Sequence, residues 1–255
     1  MISLKSSEFV PPIFYRTRNF LLKRLPFSNK IFSDNILFPP YDQIPFNNNV
    51  KWIIDIGANI GYLSENALLS YPNAKVVCFE PVNTTFDQLK TNLAKYGDRV
   101  YLKNLALSDE NGTAEINITT SNGANSLAKQ SDFHKNMNPT VREISKQTVS
   151  LKKLDDILND LPSNHFEIVK IDVEGFEMNV LRGGVNFFKN CVDTVIIEVC
   201  FMRDTSIKQQ SITEIFDFMR SSGFYLYNMY DFHHSNDQKA PFKLIQMDCV
   251  FKKHA

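Results

Sequence analysis

Short apolar runs, each closing on an acid or a glycine, recur along the chain and are separated by amphipathic stretches. Trp52-Ile53-Ile54-Asp55-Ile56 leads into Gly57-Ala58-Asn59-Ile60-Gly61-Tyr62, and Lys75-Val76-Val77-Cys78-Phe79 ends in Glu80-Pro81. Uninterrupted apolar runs of this length predict strands covered on both faces, as in parallel sheets. The stretch from Thr84 to Tyr96 places Phe86, Leu89 and Leu93 on one helical face and stops at Gly97. A third strand is expected over Arg99 to Leu107, then the turn Ser108-Asp109-Glu110-Asn111-Gly112 and a hairpin partner over Thr113 to Ile118. Ser150 is placed to cap a short helix carrying Leu151, Leu154, Ile157 and Leu158. A fourth strand, Phe166 to Ile171, ends in Asp172-Val173-Glu174-Gly175; a helix from Phe176 to Leu181 stops at Gly183-Gly184; a fifth strand, Asp193 to Ile197, has Glu198 at its tip. The capping box Ser211-Ile212-Thr213-Glu214 opens a helix that closes before Gly223. Strands at Phe224 to Met229 and Leu244 to Phe251 flank a loop holding His233 and His234. Seven strands alternating with helices predict an α/β fold with a mostly parallel sheet covered on both faces.

Two segments depart from this rhythm. Residues 1–50 carry prolines at 11, 12, 26, 39, 40 and 45 and read as an N-terminal extension, with Phe14 to Leu25 forming one amphipathic helix, and residues 51–255 read as the domain proper. That helix is expected to pack on the core or over the site; contact with a membrane surface or a partner is the other reading. Residues 119 to 146 are polar and aperiodic, the pattern of a lid over a binding site.

Composition narrows the function classes. A chain of 255 residues holds one α/β domain with an appendage. Its 28 Lys and Arg balance 28 Asp and Glu without a basic stripe, which argues against nucleic acid. The sequence has no transmembrane run and no signal-peptide core, so a cytoplasmic protein is expected. Cys78, Cys191, Cys200 and Cys249 lack C-x-x-C spacing and read as free thiols, not zinc ligands.

The first two strand ends carry the cofactor chemistry. Ligands of open α/β sheets bind at carboxyl ends of strands, and glycines there let backbone approach the ligand while the following helix points N–H groups at it. Glu80 can accept from two ribose hydroxyls, at roughly 1.5–3 kcal/mol for each bond to a charged acceptor. The dinucleotide rhythm G-x-G-x-x-G is absent, because Asn59 and Tyr62 stand where it needs glycine. Asp55 disfavours phosphate and suits a cationic ligand such as a sulfonium with an amino-acid tail. In the structural alternative, Asp55 caps a turn and Glu80 is a solvated strand end; the pairing at this spacing favours the cofactor site.

At the fourth strand end, Lys170, Asp172 and Glu174 alternate onto one face, with Glu198 one strand away at about 4.8 Å if the two strands pair. Such acids serve as a general base for a hydroxyl or as oxygen ligands for Mg²⁺, or only fix strand ends through Lys170. Asp172 is the first candidate for base or ligand, Glu198 the second, with Glu174 and Glu177 beside them. His165, His233 and His234 are further possible bases.

Together, Asp55-Ile56-Gly57-Ala58-Asn59-Ile60-Gly61, Phe79-Glu80-Pro81, Asn104 to Asp109 with Gly112, Lys170-Ile171-Asp172-Val173-Glu174-Gly175-Phe176-Glu177 and Ile197-Glu198 closely resemble the FkbM family of S-adenosylmethionine-dependent methyltransferases over residues 50–252. The resemblance implies a Rossmann-like class I methyltransferase fold, with seven strands in the order 3-2-1-4-5-7-6 and the last antiparallel. It implies that Asp55, Gly57, Ala58, Asn59, Gly61 and Tyr62 hold the methionine part of the cofactor, that Glu80 with Pro81 holds its ribose, and that Ala106, Leu107 and Asp109 border the adenine. The implied activity is O-methylation of a sugar, glycan or secondary metabolite; metal dependence stays open. The rivals are an NAD-dependent oxidoreductase or epimerase, disfavoured by Asn59 and Tyr62 where its fingerprint needs glycine, and a non-catalytic cofactor-binding partner subunit.

Overall fold

Alternate residues of a strand face opposite sides of a sheet, so apolar runs without a polar side need cover on both. The computed structural model describes residues 40–44, 49–120, 125, 127, 142–201, 212–234 and 244–254. Its strands are β1 (Trp52–Ile56), β2 (Lys75–Phe79), β3 (Val100–Lys103), β4 (Ala106–Leu107), β5 (Gly112–Thr119), β6 (Glu143–Lys152), β7 (Phe166–Ile171), β8 (Val192–Cys200), β9 (Phe224–His234) and β10 (Leu244–Lys253). Seven form one sheet in the order β3-β2-β1-β7-β8-β10-β9. β10 runs antiparallel to both neighbours, and the remaining pairs are parallel. This is the expected order 3-2-1-4-5-7-6 of a class I methyltransferase sheet.

The cover is helical on each face. Ile54, Ile56, Val169, Ile171, Val195 and Ile197 pack with Met178 and Leu181 of α3 (Glu177–Gly183), Phe187 and Phe188 of α4 (Val185–Asn190) and Met219 of α5 (Ile212–Ser221). Ile53, Val76, Cys78, Ile168, Ile196 and Val250 pack with Ala67 and Leu68 of α1 (Tyr62–Ser70) and Leu89 and Leu93 of α2 (Asn83–Leu93). Tyr41, Ile44 and Val50 belong to this second cluster, so chain preceding β1 helps to close it. Full burial of each aliphatic side chain contributes roughly 1.5–3 kcal/mol.

Four local expectations are corrected. The stretch 99–107 is not one strand: Asn104 turns its amide onto the carbonyls of Glu80 and Pro81 (2.9 and 3.2 Å), and β4 leaves for a second sheet of order β4-β6-β5. β5 therefore pairs with β6, not with β3. Ser150 and Leu151 open no helix; they lie in β6, where Leu151 is opposite both Ala106 and Gly112, and a 3-10 helix follows at Leu154–Asp160. β8 and β9 run longer than expected, so Glu198 is inside a strand opposite Asp248, and His233 and His234 are strand residues pairing with β10, not loop residues. Residues 143–146 of the expected lid are strand, whereas the expected helix at 14–25, most of 120–142 and the capping Ser211 lie outside the described residues.

Gly183 shows how tightly α3 packs on the end of β4. A Cβ there would stand 1.9 Å from the Ser108 carbonyl oxygen. Gly183→Ala is expected to destabilise the fold by about 1–3 kcal/mol, as overpacking against immovable backbone does. Urea unfolding measures this, and an unchanged midpoint would remove the contact from the account.

Candidate active site

The turn after β1 is fastened to its neighbours by backbone. Gly57 and Ala58 both donate to the carbonyl of Phe79 at 3.0 Å, and Asp172 donates to that of Ile56 at 3.0 Å. Gly57 has φ +81°, and a Cβ on it would lie 1.9 Å from the Asp172 carbonyl oxygen, so no side chain fits there. Gly61, at φ +90°, clears Leu89 of α2, whose Cδ1 would stand 2.7 Å from a Cβ. Asn59 also has positive φ, +50°, a conformation asparagine tolerates; its Oδ1 accepts from the Ile60 N–H at 2.7 Å. Tyr62 opens α1 with its side chain partly exposed.

This turn delivers the Asn59 N–H to Glu80 Oε2 at 3.0 Å, and the Val82 N–H reaches Glu80 Oε1 at 2.9 Å. Each carboxylate oxygen has one backbone donor and keeps acceptor capacity for another. Burial raises Glu80's proton affinity to about 7, against the pull of the two donors. Asp55 is buried too, accepts from Ser64 Oγ at 2.5 Å, and is pushed up to about 6 by burial against the pull of Ser64 and Lys170.

Across β1 the sheet presents a charged row. Asp55 is opposite Lys170, Lys170 is opposite Ile196, and Glu198, two residues further along β8, is opposite Asp248. Lys170 is fully buried, with Nζ 3.1 Å from Asp248 Oδ1 and 3.6 Å from Asp172 Oδ2. Burial works against its charge, and Asp248 and Asp172 more than reverse that, so its pKa stands well above the ordinary lysine value. Carboxylate oxygens of Asp172, Glu174 and Glu198 lie within 4.8 Å of one another. Glu198 accepts from Gln246 Nε2, and burial, then Asp172 and Glu174, hold its pKa well above the carboxylate range. Glu174 has φ +51°, and Glu177, named beside it, is buried and accepts from the Gly175 N–H at 2.8 Å.

The other expected site residues are placed as follows. Pro81 offers its carbonyl to Asn104 and to Gln147 Nε2 (3.1 Å). Ala106 is buried in the core of the small sheet, Leu107 in the main core, and Asp109 accepts from Asn179 of α3 at 2.8 Å. His165 lies at the opposite end of β7 from the acids, paired with Asp193 at 3.0 Å. His233 is 3.3 Å from Asp231 and in register with Gln246. Sequence reasoning passed over Ser64, Gln246, Asp248 and Tyr41. The signal for Gln246 and Asp248 was present, since two polar residues at spacing two interrupt the apolar run Leu244 to Phe251.

A glycine turn after β1, a buried acid at the end of β2 and acids at or near the ends of β7 and β8 lie along the carboxyl ends of neighbouring strands of one sheet. The Methyltransferase FkbM domain matches residues 55–226, more than half the chain and all of these groups. The chain belongs to the FkbM methyltransferase family. Among its relatives, Methyltransferase sdnD of Sordaria araneosa is 30% identical over 191 residues, 66% of this chain and 72% of its own length. The 2-O-methyltransferase NoeI of Sinorhizobium fredii is 28% identical over 138 residues, 52% of this chain and 56% of its own. The fold resembles the crystal structure of Methyltransferase FkbM from Methylobacillus flagellatus KT, with a TM-score of 0.52 at 15% identity over 85% of this chain. This chain spans only 46% of that one, and the likeness speaks to the fold alone. Among the described residues, no helix of this FkbM-family chain is long and apolar enough to cross a membrane.

Lys170 is the buried cation that offsets the acids of this row. Lys170→Met is expected to lower stability at neutral pH by about 3–5 kcal/mol, because it strands buried charge. The loss should shrink in acid as the carboxylates protonate. Urea titrations at two pH values read both effects, and a fully stable variant would contradict them.

Proposed function

We propose that the protein transfers a methyl group from S-adenosylmethionine to a hydroxyl oxygen of a small-molecule or glycan acceptor. The observation that carries this reading is Glu80, a buried carboxylate whose oxygens are each oriented by one backbone donor beside a glycine turn. Its remaining lone pairs suit the two ribose hydroxyls. The Asn59 N–H is committed to Glu80, which disfavours the pyrophosphate of a dinucleotide. The name 2-O-methyltransferase on one relative supports an oxygen acceptor.

When bound, the cofactor supplies an electrophilic methyl on a sulfonium. The turn of Gly57 to Gly61 holds its tail and Asp55 offsets its positive charge. The family resemblance assigns Ala106, Leu107 and Asp109 to the adenine. Over β7 and β8, Asp172, Glu174 and Glu198 orient the acceptor hydroxyl in line with the methyl, and alignment of this kind contributes about 7–11 kcal/mol. Glu198, the most buried of the three, takes the hydroxyl proton as the methyl passes from sulfur to oxygen. Asp172 is held by Lys170 and positions the acceptor. The same three carboxylates are a hard oxygen set that fits Mg²⁺, which would supply charge neutralisation there. The chain's own residues complete the proton transfer without it.

Cofactor affinity should depend on pH through Glu80. Below about 7 the free protein carries a proton on Glu80 that must leave before ribose hydroxyls donate to it, so affinity for S-adenosylhomocysteine should fall up to tenfold per pH unit in acid and level off in base. Glu80→Gln should bind about ten- to a hundredfold more weakly at pH 8 and lose the slope. Calorimetry over that range checks both, and a flat wild-type profile would contradict the assignment.

Glu198→Gln and Asp172→Asn should keep cofactor affinity but lose about 10²–10⁴-fold in methyl transfer to a cognate acceptor. EDTA should leave the wild type unaffected. Activity lost in chelator and restored by Mg²⁺ would instead assign the acids as metal ligands, and full activity in both variants would leave them a structural cluster.

A further inference from the structure

The turn that carries Glu80 is held from outside the main sheet. Val82, whose N–H donates to Glu80 Oε1, buries its side chain with Ala106 of β4, Ile116 of β5, and Val149 and Leu151 of β6. Gln147 of β6 grips the same turn at two backbone points. Its Nε2 donates to the Pro81 carbonyl at 3.1 Å, and its Oε1 accepts from the Asn83 N–H at 3.1 Å. Every residue from Pro81 to Asn83 is therefore tied to the three-stranded sheet by a side chain or by backbone, and β5 and β6 are the strands that flank residues 120–142.

Resting on the reading of Glu80 as the ribose acceptor, we propose that the sheet β4-β6-β5 is a working part of the cofactor site, with Gln147 as its positioning residue, so that cofactor binding and the closing of the β5–β6 hairpin are linked. A hairpin that opens lets go of Pro81, Val82 and Asn83, and Glu80 then loses the Val82 donor that orients one of its oxygens. A ligand that needs Glu80 oriented binds the closed hairpin more tightly than the open one. Linkage makes the effect reciprocal: the factor by which closure tightens cofactor binding is the factor by which cofactor stabilises closure.

Hydrogen exchange and calorimetry on the full chain with S-adenosylhomocysteine test this. In the wild type the ligand should slow exchange of backbone amides in both β5 and β6. Gln147→Leu should weaken ligand affinity by about tenfold, or roughly 1.4 kcal/mol, and lose most of that added protection. Lys146→Met supplies the control, because it breaks the exposed Lys146–Glu115 pair of the same hairpin (3.3 Å) without touching the turn, and it should bind as the wild type does. If Gln147→Leu fails to fold, Val82→Ala tests the same link and should weaken affinity in the same direction. Unchanged affinity and protection in a folded Gln147→Leu, or equal weakening by Lys146→Met, would overturn the proposal. No binding by the wild type would instead overturn the reading of the cofactor.

Discussion

The backbone of Asp172 lies against Gly57 where any other residue would carry its Cβ, at 1.9 Å from that position. Most of the site follows from this contact. The glycine turn joins β2 through the Phe79 carbonyl and meets β7 through the Ile56 carbonyl and this close approach, so the groups proposed for cofactor and acceptor cannot drift apart. Proximity is the main thing a methyltransferase supplies to an already reactive methyl. A side chain at position 57 would wedge the two halves open, and a less direct joint would leave the acids to flexible loops.

That compactness concentrates negative charge. Asp55, Glu80, Glu177 and Glu198 are buried, and Lys170 is a fully buried cation beside Asp172 and Asp248. The fold accommodates them in two ways: Lys170 neutralises the Asp172 and Asp248 side of the row, and burial raises the proton affinity of Asp55, Glu80 and Glu198. Raised proton affinity is a liability for stability and an asset for a group that must accept a proton near neutral pH. The Tyr41 hydroxyl, buried without a hydrogen-bond partner among the described residues, caps the same side of the sheet from chain that precedes β1.

The main sheet was legible because its parallel strands are buried on both faces and read as apolar runs. Asp55, Glu80, Asp172 and Glu198 stood out as acids at or near the ends of such runs. The second sheet was not legible, for physical reasons. β4 has two residues, and β6 is exposed at most positions through Ser150, so neither shows the apolar run or clean alternation that marks a strand. Its pairing with β5 crosses a long polar stretch that no local pattern bridges. Ser150 and Leu151 fit a helix start as well as a strand end, and only the pairing partners decided between them. Asp248 and Gln246 were passed over because their role comes from β8, far away in sequence, while Lys170 was noticed as a charge but its full burial among acids is a tertiary fact.

The central claim is that the turn of Gly57 to Gly61 and the Glu80 carboxylate receive the tail and ribose of S-adenosylmethionine. Calorimetric titration of the purified chain with S-adenosylhomocysteine and NAD⁺ in parallel tests it most directly. The account predicts saturable binding of S-adenosylhomocysteine at a single site and no heat from NAD⁺; saturation by NAD⁺ with none by S-adenosylhomocysteine would contradict it.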